Sequence, residues 1–151
     1  NVICAVRTAD CLPILITDIR GTFVLAIHAG WKGLGIGIIE EAINTINPSN
    51  DLVVWLGPCI SQENLEVGHD VYEFFNKCDK NCISAFIEKS KDKFSLSLTK
   101  AAELKLKSLG VKFIYGNGIT QSYCTYNDVD KFYSYRRDKL TGRMASLIWM
   151  E

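Results

Sequence analysis

Cys11 and His28 are the residues whose types and setting best suit chemistry. Cys11 sits in the polar turn of "TADCLPILITD" (Thr8–Asp18), directly before an apolar run. His28 closes the next run, in "AIHAGWKG" (Ala26–Gly33). A cysteine that only fills space belongs inside an apolar run, and an imidazole among Ala, Gly and Trp is a poor filler. Three readings of the pair stay open. Cys11 is a half-buried small hydrophobe beside a satisfied core histidine, or the two are a nucleophilic pair whose imidazole supports a thiolate. In the third, they are ligands of Zn²⁺, which accepts both donor types. Catalytic zinc takes three protein ligands and keeps one position open. His69, in "EVGHDVY", reads as an exposed residue near a helix start, so a third ligand is expected from outside this stretch of chain.

The elements around the pair follow from periodicity and punctuation. "NVICAVR" and "LPILITD" read as strands joined by the polar "TAD", and "DIRG" is a turn before the strand "TFVLAIH". Folding the last two as a hairpin about "DIRG" carries Cys11 and His28 to the same sheet edge. Ile36, Ile39, Ile43 and Ile46 recur at helical spacing and predict one helix after "GWKGLG", stopped by Asn47 and Pro48. "DLVVWLG" is a strand and "GPCISQENLEVG" an irregular loop. Val71, Tyr72, Phe74 and Phe75 mark a short helix, "KSKDK" a charged loop, and "FSLSL" a strand. "TKAAELKLKSLG" is a helix stopped at Gly110, and "VKFIYG" a strand. "FYSYRR" and "MASLIWM" are expected to close the chain as a pair of strands around "DKLTG". Helices and strands alternate, while the hairpins require antiparallel pairing. The predicted class is therefore α/β (α+β), a layered sandwich with mixed β-sheets flanked by helices.

Composition narrows the functions. The 151 residues are 48% hydrophobic and 23% charged, the make-up of a globular domain with room for a core. Seventeen basic residues balance seventeen acidic ones without a basic stripe, which argues against nucleic acid as a partner. "LPILIT" and "FVLAI" are too short to span a bilayer, so no membrane partner is expected. The six cysteines are scattered and are expected to be mostly reduced, in a cytoplasmic setting. Cys78 and Cys82, in "NKCDKNC", suit a local metal pair or a disulfide less well than an exposed lysine-rich loop. Asn1 already stands in a strand-like run, so the chain is expected to be a single domain, residues 1–151, lacking its N-terminal portion.

Five blocks, "RTADCLPILITD", "HAGWKG", "LGPCISQENLEVG", "CTYNDVDKFYSYRRD" and "TGRMASLIWM", together resemble the YfiH/laccase-domain family, in that family's order and from Asn1 to Met150. The resemblance implies a layered α/β sandwich and a zinc-dependent purine nucleoside enzyme. Its reactions would be phosphorolysis of adenosine or inosine, and of methylthioadenosine, together with adenosine deamination. Cys11 and His28 match two of the family's zinc ligands. The third, an upstream histidine, has no counterpart here. Ligand count argues against copper, since two histidines cannot hold a multicopper cluster. Cys59 stands where the family usually has Ala, Leu65 where an aromatic is usual, and Lys139 replaces a common Gly.

Such a site needs positive charge for phosphate and a surface for the base. Lys32, with the amides of "GWKGLG" at a helix start, suits a phosphate or is simply solvated. Asp10 orients a ligand, accepts a proton, or bonds backbone in its turn. Arg136 and Arg137 are expected to alternate on a strand, one binding phosphate or pairing with Asp138. Trp31 stacks on a purine or packs the core. Cys124 reads as structural. Two further readings compete with the nucleoside enzyme. One is a metal-free cysteine hydrolase or deamidase built on Cys11 and His28, and the other an inactive binding domain.

Overall fold

The computed structural model describes residues 2–151. Its centre is a four-stranded mixed sheet in the order β3-β2-β4-β8, made of β2 (Leu12–Asp18), β3 (Val24–Ala29), β4 (Leu52–Leu56) and β8 (Phe113–Gly116). β2 pairs antiparallel with both β3 and β4, and β4 pairs parallel with β8. Alternation along β2 explains its central place. Leu12, Ile14 and Ile16 point one way and are fully buried. Each such side chain contributes about 1.5–3 kcal/mol by leaving water. Val54, Leu56, Ile27 and Ala29 complete that face of the sheet.

Helices cover this face. α1 (Trp31–Ile36) and α2 (Ile38–Ile46) follow β3, and α4 (Leu98–Ser108) precedes β8. Their Leu34, Ile39, Ala101, Ala102 and Leu106 are buried in the same core. The isoleucine spacing predicted one helix where there are two. Gly37 adopts φ +91°, a left-handed conformation that ends α1 and starts α2. Asn47, also left-handed, stops α2 as expected, its amide bonded to the Ile43 carbonyl.

A second sheet, β5-β7-β6, consists of β5 (Glu66–Gly68), β6 (Phe86–Ser90) and β7 (Lys93–Leu96), and packs with α3 (His69–Cys78). The "KSKDK" stretch is therefore a hairpin rather than a loop. Its charges cost nothing on exposed β6, and Asp92 at φ +61° makes the turn. "FSLSL" is strand only to Leu96, because the Ser97 hydroxyl accepts the Lys100 amide and caps α4. The loop after β4 likewise contains a 3₁₀ turn, Gln62–Asn64, and β5. Nor is "NKCDKNC" a uniformly exposed loop. Cys78 ends α3 exposed, while Cys82 is buried in a 3₁₀ turn.

β1 (Ile3–Thr8) pairs antiparallel with β9 (Met144–Trp149). The expected closing hairpin does not form, since "FYSYRR" runs instead into a single helical turn, α5 (Tyr135–Asp138). The Ser134 hydroxyl accepts the Arg137 amide at its start. Capping chemistry thus overrode the strand-like run of aromatics. The mixed α/β architecture read from the sequence is the observed one, assembled from three sheets with helices against them. No helix is long and apolar enough to cross a membrane among the described residues.

Candidate active site

The β2–β3 hairpin forms in the expected register, with Leu12 opposite Ala29 and Pro13 opposite His28. Cys11 precedes β2 by one residue, two positions before the partner of His28, so both lie at one end of the hairpin. Gly30 follows β3 at this end. A Cβ built there would lie 3.1 Å from the Cys11 sulfur, so glycine leaves the thiol its space. His28 is exposed. Among the described residues neither its ring nor the Cys11 sulfur makes a hydrogen bond. Burial pushes the Cys11 thiol above its ordinary pKa, and the charge of Asp10 pushes the same way. The Arg143 guanidinium pulls in the opposite direction.

Asp10 holds the turn. Its backbone is left-handed, at φ +86°, a conformation that asparagine and aspartate tolerate better than most residues. One carboxylate oxygen accepts the Thr125 hydroxyl at 2.6 Å, and the other accepts the Arg136 amide at 2.6 Å. Its carbonyl accepts the Ile60 amide at 3.0 Å. Three other segments therefore meet at this residue.

Beside it opens a cleft of about 200 Å³ lined by Ala9, Asp10, Cys11, Trp31, Ile60, Leu65, Leu98, Tyr135 and Arg136. The volume is below the ~300 Å³ at which drug-sized pockets begin. It has room for a ring rather than for a whole nucleoside. Trp31 meets Phe74 edge-on at 5.9 Å and presents its remaining surface to the cleft. The Arg136 guanidinium donates one bond, to the Glu66 carbonyl at 3.2 Å.

The other predicted residues lie differently. Lys32 is exposed in the first turn of α1 and does not line the cleft. Arg137 donates to the carbonyls of Thr125, Tyr126 and Phe132 and pairs with Asp138 at 2.8 Å, so its charge is spent holding the chain. The two arginines diverge on a helical turn, not by strand alternation. Tyr135, Leu98 and Arg143 were not singled out from the sequence, and Leu65 was noted only as a departure from the family's usual aromatic. Tyr135 and Arg143 did carry a signal, since they fall within "CTYNDVDKFYSYRRD" and "TGRMASLIWM". A wider hollow of about 930 Å³ lies elsewhere, beneath α2 and α4. Its one lysine, Lys105, is already bonded to Glu40 at 2.6 Å and Asp79 at 2.8 Å, which leaves no free cation for phosphate. Among the described residues no three His, Cys, Asp or Glu side chains group as a metal site.

Residues 1–151 match the family model described as multi-copper polyphenol oxidoreductase laccase. The chain belongs to this family, the YfiH/laccase-domain proteins. It is 45% identical over 150 residues to the Escherichia coli K12 protein named purine nucleoside phosphorylase YfiH, covering 98% of this chain and 59% of that one. A Haemophilus influenzae protein named purine nucleoside phosphorylase is 43% identical over 156 residues, covering 100% of this chain and 62% of its own. Among solved structures, a Neisseria meningitidis protein superposes with a TM-score of 0.93 at 43% identity, over 99% of this chain and 61% of that chain. YlmD from Geobacillus stearothermophilus gives 0.81 at 27% identity, over 97% and 56%. The YfiH-family chain described here thus spans about three-fifths of the length of these relatives.

Proposed function

We propose that this chain supplies most of a purine nucleoside phosphorylase site, with Cys11 at its centre. The observation that carries the reading is the convergence of Cys11, Trp31, Tyr135 and Arg136 on one cleft, in a chain 45% identical to a protein named for that activity. The aromatic and aliphatic walls suit a purine ring, and Arg136, which lines the same cleft, would bind the phosphate. In the reaction a phosphate oxygen bonds to the anomeric carbon of the ribose. The N-glycosidic bond breaks, and its electron pair leaves on the purine nitrogen, which then takes a proton. Adenosine, inosine and methylthioadenosine are the substrates in view, and the products are free base and ribose 1-phosphate.

Cys11 and His28 are two donors of the kind zinc prefers, unengaged at the same hairpin end, and they would hold the metal together with a ligand from outside the described residues. Bound zinc would offset developing negative charge and lower the pKa of its water to about 7, the chemistry that adenosine deamination also needs. Pro13 stands opposite His28 in the hairpin, and Gly30 leaves room for the Cys11 sulfur. Asp10 keeps its neighbour Cys11 in place through three bonds to other segments. Arg136 holds the phosphate while Trp31 and Tyr135 exclude water from the base.

The test is release of free base from inosine and adenosine, followed chromatographically with and without phosphate. It is run on this chain and on a longer protein containing it. Phosphate-dependent release that disappears in Cys11→Ala supports the proposal. Release unaffected by Cys11→Ala, or independent of phosphate, refutes it.

A further inference from the structure

Two buried cysteines, each next in sequence to a residue bonded to Asp10, are not used by the proposed chemistry. Cys59, in the loop after β4, and Cys124, in the loop after β8, face each other in an isolated parallel β-bridge, and the Thr125 amide donates to the Cys59 carbonyl at 3.1 Å. Bridged backbones lie roughly 4.8 Å apart, inside the ~4.4–6.8 Å window between Cα atoms that a disulfide spans. Both thiols are free.

Their surroundings differ. The Cys124 sulfur lies 3.4 Å from the Ser61 amide, 3.2 Å from the Ser61 hydroxyl and 3.5 Å from the Asn64 side-chain amide. These groups can all donate to a thiolate. Burial alone would raise this thiol's pKa, but the Ser61 hydroxyl and amide, with the Asn127 and Tyr126 amides, outweigh it and bring it below the ordinary value. Cys59 is sealed in the core, near the Asn117 side-chain amide at 3.6 Å, and desolvation pushes its thiol up to about 12.

We propose that Cys59 and Cys124 are a peroxide-sensitive thiol pair, in which Cys124 reacts first and Cys59 resolves it to a disulfide. The Cys124 thiolate attacks one oxygen of a hydroperoxide. A sulfur–oxygen bond forms, the oxygen–oxygen bond breaks, and the remaining oxygen leaves as an alcohol, or as water from hydrogen peroxide, after taking a proton. The Cys59 sulfur then attacks the Cys124 sulfur. The disulfide forms, the sulfur–oxygen bond breaks, and water carries off the sulfenic hydroxyl with the Cys59 proton. Two thiols are oxidised and one peroxide is reduced.

The pair is joined to the cleft by its neighbours. Ile60, next to Cys59, lines the cleft and donates its amide to the Asp10 carbonyl. Thr125, next to Cys124, donates its hydroxyl to the Asp10 carboxylate. A covalent link between the two loops therefore acts on both grips that hold the turn before Cys11.

The experiment treats the 151-residue chain, in a Cys78→Ser background that removes the exposed thiol, with a small molar excess of hydrogen peroxide. Peptides are mapped by mass spectrometry. A link between the Cys59 and Cys124 peptides that dithiothreitol reverses is the expected result. In Cys59→Ala, a small change at a buried site, a sulfenic-acid trap should label Cys124, and in Cys124→Ser no link should form at Cys59. The proposal is overturned if Cys124 stays reduced while other cysteines oxidise. It is equally overturned if Cys59→Ala leaves Cys124 unlabelled by the trap.

Discussion

The Asp10 carboxylate accepts the backbone amide of Arg136 at 2.6 Å, across 126 positions of sequence. This bond sets α5 against the turn that carries Cys11, and so places a cation and a thiol on one cleft.

Removing the carboxylate should therefore loosen the cleft as well as the fold. Asp10→Ala is expected to destabilise by about 2–4 kcal/mol, since two buried charge-assisted hydrogen bonds are lost and a left-handed backbone receives a less tolerant residue. Asp10→Asn keeps an acceptor and the backbone tolerance and should cost less than half as much. Urea unfolding of both variants checks the order, and an Asp10→Ala protein as stable as the parent contradicts it.

The adjacent arginines should separate cleanly. Arg136→Ala is expected to raise the KM for phosphate in a longer, active protein about tenfold, the equivalent of one charge-assisted bond, while leaving Tm nearly unchanged. Arg137→Ala should lower Tm, because three carbonyls lose their donor and Asp138 loses its partner. Thermal melts and phosphate titrations on the same two variants decide it. A shift of both quantities in both variants would remove the distinction.

Lys105 is the buried fastening between helices. Its ammonium lies between Glu40 and Asp79, and although desolvation works against the charge, bonds to the two carboxylates raise its pKa overall. Lys105→Met leaves two carboxylates facing each other, one Glu40 oxygen already being buried without a partner. A loss of about 3 kcal/mol is expected, the lower end for a broken buried pair because both carboxylates keep some solvent. Chemical denaturation measures it. A loss below about 1 kcal/mol would make the network incidental.

Asp18 should impose a pH dependence at the hairpin turn. The Thr22 amide is the largest influence on its pKa; burial, the next, opposes it, but the Thr22 hydroxyl, the Asn50 amide and the Arg20 backbone add to the amide and bring the pKa down to about 2. The folded pKa is depressed, so the stabilisation is fully present above the unfolded value of about 3.9 and lost as pH falls toward 2. The stability gap between the parent and Asp18→Asn should thus be constant above about pH 5 and shrink between about 4 and 2. A gap that does not change over that interval contradicts the assignment.

Much of this site was legible from local pattern. Alternation in Leu12–Asp18 and the "DIRG" turn were enough to bring Cys11 and His28 to one hairpin end, because register in a half-buried hairpin is fixed by which side chains face the core. What failed was non-local. Nothing near Met144–Trp149 says that its partner is Ile3–Thr8, so in sequence the nearer aromatic run reads as the partner strand. The role of Asp10 depends on Thr125 and Arg136, residues that come near only after folding. Arg137 looked like its neighbour in sequence, yet the Ser134 cap turns it toward carbonyls instead of the cleft.

If Cys11 and His28 act together as donors to zinc, as proposed above, calorimetric titration of the chain with zinc detects it. The parent chain should bind weakly at a single site, because Cys11 and His28 would supply only two of the three protein ligands a catalytic zinc site takes, and more weakly as pH falls and the ligands take up protons. Cys11→Ala and His28→Ala should each abolish that binding, and a longer protein that supplies the third ligand should bind far more tightly. Equal zinc affinity in the parent and both variants would rule out Cys11 and His28 as zinc ligands.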